Sequence, residues 1–133
     1  MPTMNKAILL ALLSLPLVPL TQGCLAAVGV GAGLVLSQEM LDNDTYVTRL
    51  NSDVRNVWPT VKTTLSGASL ELIQVDEELR VARAKVDGAN VTVSVEAYDI
   101  DKSILRVMAR KYGMNNGEVA GLVHDKIVRD LDH

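Results

Sequence analysis

The chain has 133 residues and carries 13 Lys plus Arg against 16 Asp plus Glu, a formal net charge of −3. That length sets the scale at one small domain plus an N-terminal segment. The single cysteine excludes an internal disulfide framework and a Cys-based zinc site, and an acidic balance with 3% aromatics excludes a basic, base-stacking nucleic-acid surface.

Lys6 is the only charged side chain ahead of Gln38. It precedes the apolar run Ala7–Leu20, which has the length of an export-signal h-region and is short for a membrane span. Pro16 and Pro19 break a helix near the end of that run, and Thr21, Gln22, Gly23 and Cys24 follow. An apolar run, a small residue and then a cysteine resemble a bacterial lipobox, with Thr21 standing where such signals most often carry Leu. The resemblance implies a diacylglycerol thioether on Cys24, cleavage between Gly23 and Cys24, and acylation of the new amino group. Two or three acyl chains make a durable anchor where one is marginal, at about 0.8 kcal/mol per buried CH₂. By resemblance to lipoprotein sorting signals, Leu25 in place of Asp after the cysteine implies the outer membrane, with the domain facing the periplasm. Three other readings stay open. Cys24 can be an ordinary buried thiol, cleavage after Ala26 or Ala27 would release a soluble protein, and Ala7–Leu36 is long enough to stay as one membrane anchor.

Residues 25–36, LAAVGVGAGLVL, carry no charge. Gly29 and Gly33 have the four-residue spacing that lets apolar helices approach in lipid, with Gly31 between them. Twelve helical residues reach about 18 Å, short of the roughly 30 Å hydrocarbon core. The expected roles are a spacer or shallow membrane contact, or a contact through which a membrane-integrated oligomer assembles. Ser37–Asp44 reads as a linker or short helix ending in a turn. Asp42, Asn43, Asp44 and Asp53 faintly suggest a calcium loop, but Val47 holds the place of its required glycine.

From Thr45 the sequence reads as a globular domain. Thr45–Leu50 forms a short strand. Asn51, Ser52 and Asp53 then start a helix whose apolar face is Val54, Val57, Trp58, Val61 and Leu65. Pro59 predicts a kink or a late start, Gly67 the stop, and Trp58 a core anchor. Four strand-like runs follow: SLELIQV, LRVARAKV, VTVSVEAY and SILRVMARKY, with Asp87-Gly88 as a hairpin signal. The third alternates cleanly, Val91, Val93, Val95 and Ala97 against Thr92, Ser94, Glu96 and Tyr98. Asn115 or Asn116 caps a closing helix, with Glu118 in capping-box spacing from Asn115 and a stripe of Val119, Leu122, Val123, Ile127 and Leu131. The expected fold is an α+β two-layer sandwich, a four- to five-stranded antiparallel sheet with two helices on one face, ordered β-α-β-β-β-β-α. The expected regions are 1–23 signal peptide, 24–44 lipidated cysteine, Ala/Gly-rich stretch and linker, and 45–133 domain.

The lipobox, the Ala/Gly-rich stretch, the Tyr-Val strand, the Trp-bearing helix, the alternating strands and the final amphipathic helix together resemble a family of small bacterial lipoproteins, domain of unknown function 3568. That resemblance implies location and fold, and it transfers no catalytic residues.

No P-loop, nucleophile elbow or His–Glu zinc spacing occurs. His124 reads as a solvated helix residue, so neither an enzyme nor a cofactor or metal is expected. Arg83 and Lys85 on one strand, with Arg106 and Arg110 on another, predict a basic strip with Thr92, Ser94 and Tyr98 between them. Such a strip suits anionic headgroups, a glycan or an envelope protein partner; it also suits a plain solvated face that blunts sheet edges.

Overall fold

The computed structural model describes residues 33–133. Gly23, Cys24, Gly29 and Gly31, with the lipidation, cleavage and oligomer readings placed on them, lie outside the described residues. The elements run β1 (Val35–Leu41), β2 (Thr45–Leu50), α1 (Val54–Ala68), β3 (Gln74–Asp76), β4 (Val81–Val86), β5 (Ala89–Asp99), β6 (Lys102–Lys111), β7 (Met114–Asn115) and α2 (Gly117–Leu131). The strands form one antiparallel sheet in the order β1-β2-β6-β5-β4-β3, with β7 pairing β6. Both helices lie on the sheet and touch each other. The class is α+β as the patterning predicts, but the sheet has seven strands rather than four or five. Without β1 and β7, the expected order β-α-β-β-β-β-α remains. Among the described residues no helix is long and apolar enough to cross a membrane.

Each departure has a physical reason. Ser37–Asp44, expected as a linker, instead supplies most of strand β1 and the turn to β2. An edge strand wet on both faces has no apolar alternation to reveal it, and six of the seven β1 residues are exposed. SLELIQV shrinks to the three residues of β3, with Leu70 and Leu72 fully exposed ahead of it. Two hairpins use two-residue turns with both φ values positive, Asp87-Gly88 and Tyr112-Gly113, and the three-residue β1–β2 loop opens on two more positive-φ residues, Asp42 and Asn43. Such turns match the twist of the flanking strands and favour Asn, Asp and Gly. Asp42 and Asn43 are therefore hairpin residues, not the start of a calcium loop.

The core lies between the inner sheet face and the helices. Leu50, Val91, Val93, Val95, Leu105 and Val107 from the sheet meet Val57, Val61 and Leu65 of α1 and Val123, Ile127 and Val128 of α2. Helix α1 begins at Val54, where the Asp53 carboxylate accepts the Asn56 N–H at 3.1 Å. It starts on time and continues through Pro59. The hydrogen bond Pro59 cannot make would have gone to the carbonyl of Arg55, an exposed residue where water can serve instead. Helix α2 is capped by Asn116, whose side-chain oxygen accepts the Val119 N–H at 3.1 Å. Asn115 instead donates to the Asp42 carbonyl at 2.6 Å, so the capping box with Glu118 does not form. The buried stripe of α2 is also rotated from expectation, with Leu122 exposed and Ala120, His124 and Val128 inside.

Candidate functional site

The helices cover one sheet face and leave the other open. On the open face the register places Lys85, Asn90 and Arg110 in one row, Arg83, Thr92 and Met108 in the next, and Ser94, Arg106 and Val47 in a third. The four expected basic residues therefore do share a face, with Thr92 and Ser94 between them. Tyr98 lies further along β5, past an irregularity between Ala97 and Asp99, beneath the guanidinium of Arg49 at 5.1 Å from its ring centre. Arg49 belongs to this face and the expected strip omits it; its alternation with Thr45 and Val47 along β2 was the available signal.

These cations are not equivalent. Arg106 pairs with Glu96 across β5 and β6 at 2.7 Å. Arg110 donates through Nε to Asp44 at 3.0 Å, and the Asp44 side chain is 2% exposed. Burial pushes the Asp44 carboxyl up, but the Thr45 hydroxyl and the hydrogen bond and charge of Arg110 outweigh it and hold it below its usual value. Arg83 and Lys85 have no carboxylate partner among the described residues. They line a shallow groove of about 230 Å³ with Glu71, Gln74, Asn90 and Thr92. The strip is thus reduced to one free pair on β4 plus the ring-stacked Arg49.

Asp44 stabilises the β1–β2 turn by holding Arg110 on β6, while its backbone carbonyl accepts the Ala109 N–H at 3.0 Å. Asp44→Asn is expected to cost about 1–2 kcal/mol, the loss of a buried charge partner discounted because Arg110 is half exposed. A carboxyl held low in the fold adds stability that is present above its unfolded value of 3.8 and lost as pH falls through its lower folded value. Urea unfolding at pH 7 and pH 3 should therefore show the two proteins converging in acid.

His124 is the main site-level correction. It is 2% exposed, not solvated. Its Nε2 lies 2.6 Å from the Thr48 hydroxyl, its Nδ1 lies 3.0 Å from the Asp125 carboxylate, and its ring stacks on Tyr46 at 5.2 Å. Each ring nitrogen therefore has a polar partner, the Asp125 carboxylate at Nδ1 and the Thr48 hydroxyl at Nε2. Hydroxyl, imidazole and carboxylate stand in the order of a nucleophile, base and orienting group. Thr48, however, is fully buried against α2, so no substrate atom reaches it. The arrangement joins β2 to α2. Its position four residues from both Ala120 and Val128 was the legible sign of burial.

Among the described residues no group of three or more His, Cys, Asp or Glu is placed to hold a metal ion. Gly33 has φ +95° in a turn, so the helical spacing proposed from Gly29 ends in a non-helical residue. No family model matches the chain, and no curated protein matches it.

Proposed function

We propose that this protein is a membrane-tethered lipoprotein of the bacterial envelope, acting as a structural or binding module without catalytic activity. The observation that carries the reading is the sequence Gly23-Cys24 at the end of the Lys6-led apolar run Ala7–Leu20. The likeness to the small lipoprotein family supports it, as does the closeness of the lone cysteine to a folded domain whose described residues begin at Gly33. Leu25 after the cysteine favours the outer membrane, facing the periplasm. The open face, with Arg83 and Lys85 free of carboxylate partners, supports a binding role toward an anionic headgroup, a glycan or an acidic envelope protein. No nucleic-acid partner and no cofactor belong to this reading.

Metabolic labelling with a palmitate analogue tests it. Wild type is expected to take up label and to sediment with membranes; Cys24→Ala is expected to lose both. Absence of label from both proteins overturns the reading.

A further inference from the structure

Residues 69–73, between the end of α1 at Ala68 and the start of β3 at Gln74, hold two leucines out in water. Ile73 packs against the core, while Leu70 and Leu72 are fully exposed and touch almost nothing else in the protein. The segment is braced in that shape. The Ser69 N–H donates to the Leu65 carbonyl at 3.0 Å. The Ser69 hydroxyl donates to the Glu71 carbonyl at 2.9 Å and accepts the Glu71 N–H at 3.2 Å. Leucines held in water forgo the gain that burial normally brings, and apolar groups rimmed by polar ones mark an interaction surface.

Leu72 also lines the groove that holds Arg83 and Lys85. Both cations are exposed on β4 and have no carboxylate partner among the described residues. Residues 1–32 contain neither Asp nor Glu, so the chain has no further carboxylate side chain to neutralise them. Thr92 stands opposite Arg83 and Asn90 opposite Lys85, adding uncharged hydrogen-bonding groups. Glu71, between the two leucines, contributes a carboxylate to the same lining. The groove thus offers two cations to an anion beside an apolar tip. A glycan gives two leucines no apolar home, and a protein partner needs a cleft fitted to them. A bilayer needs none: its interface takes up apolar side chains while its phosphodiesters attract neighbouring Lys and Arg.

We propose that Leu70 and Leu72, with Arg83 and Lys85 beside them, dock this domain on an anionic phospholipid surface, the leucines entering the interface and the cations holding headgroup phosphodiesters. This rests on the open-face binding role proposed above and narrows it to lipid; it does not require acylation of Cys24. Glu71 opposes the attraction, so neutralising it strengthens docking.

The test uses the full-length chain carrying Cys24→Ala, which removes the only native thiol and leaves acylation to the palmitate experiment. Leu70→Cys carries an environment-sensitive dye. Ile100→Cys carries the same dye in a parallel protein, at the exposed β5–β6 turn on the far end of β5. With vesicles of phosphatidylglycerol and phosphatidylcholine, the dye at position 70 is expected to shift to the blue and to be quenched by lipids brominated in their acyl chains, and the dye at position 100 to do neither. Phosphatidylcholine alone is expected to dock about tenfold more weakly. Arg83→Gln with Lys85→Gln is expected to weaken docking on the mixed vesicles about tenfold or more, and Glu71→Gln to strengthen it. An unshifted dye at position 70, equal immersion at positions 70 and 100, or a shift that the paired Gln variant leaves unchanged overturns the proposal. Retention on an immobilised acidic polysaccharide that depends on Arg83 and Lys85, with no immersion of position 70, overturns it in favour of a glycan while the binding role of the open face stands.

Discussion

Trp58→Ala is expected to lower stability by about 3–5 kcal/mol, the usual cost of emptying a large aromatic from a core. A domain of this size holds about 5–15 kcal/mol in all, so the variant approaches the unfolding threshold. Trp58 is 6% exposed on α1, its ring lies 5.4 Å from the Lys62 ammonium, and its Nε1–H donates to Glu77 at 2.7 Å. Lys62 also binds Glu77, at 2.8 Å, so one carboxylate ties the β3–β4 turn to the helix through two donors. Trp58→Phe separates the ring from the hydrogen bond to Glu77 and is expected to cost much less than Trp58→Ala. Lys62 first, and the indole N–H second, hold the Glu77 carboxyl below its usual 4.5. The bond's contribution is therefore present above that value and lost as pH falls through the lowered one. Circular dichroism during urea unfolding at pH 7 and pH 3 should show the Phe deficit shrinking in acid while the Ala deficit persists.

Gly117→Ala is expected to destabilise the protein by about 1–3 kcal/mol, although alanine is the better helix former. A Cβ at Gly117 would stand 2.6 Å from the Asn43 carbonyl oxygen and against the methyl end of Met40. The methionine can swing aside. The Asn43 backbone sits in the tight three-residue loop between β1 and β2, held by Asp44 and Arg110, so it cannot move cheaply. Gly67→Ala is the matched control: that helical glycine faces open space, and the change should stabilise by up to about 1 kcal/mol. Thermal unfolding of the two variants should therefore shift in opposite directions.

The residues that face a core on one side were legible. The alternation of Val91, Val93 and Val95 and the stripe of Val57, Val61 and Leu65 both follow from burial against a single neighbour, which is the signal periodicity carries. Strand β1 was not legible, because six of its seven residues are exposed and burial did not select an apolar alternation there. His124 was missed for the opposite reason: its polarity argued for solvent, while partners from β2 and its own helix made burial affordable. The open-face cations were placed correctly on their strands, but their availability was not. Arg110 is held by Asp44, 66 residues away in sequence, and no local pattern announces that pairing. Likewise the cap at Asn116 rather than Asn115 was decided by a contact to Asp42 across 73 residues.

The position of β1 also fixes how the domain meets mechanical force. A pull applied at Gly33 enters the fold through the start of β1. Drawn along the strand, that pull shears the β1–β2 ladder, and its register pairs from Val35–Leu50 to Leu41–Thr45 resist together. Drawn across the sheet, it opens the same ladder one rung at a time from the Leu50 end. The direction of loading thus decides whether this hairpin behaves as a clamp or as a zipper.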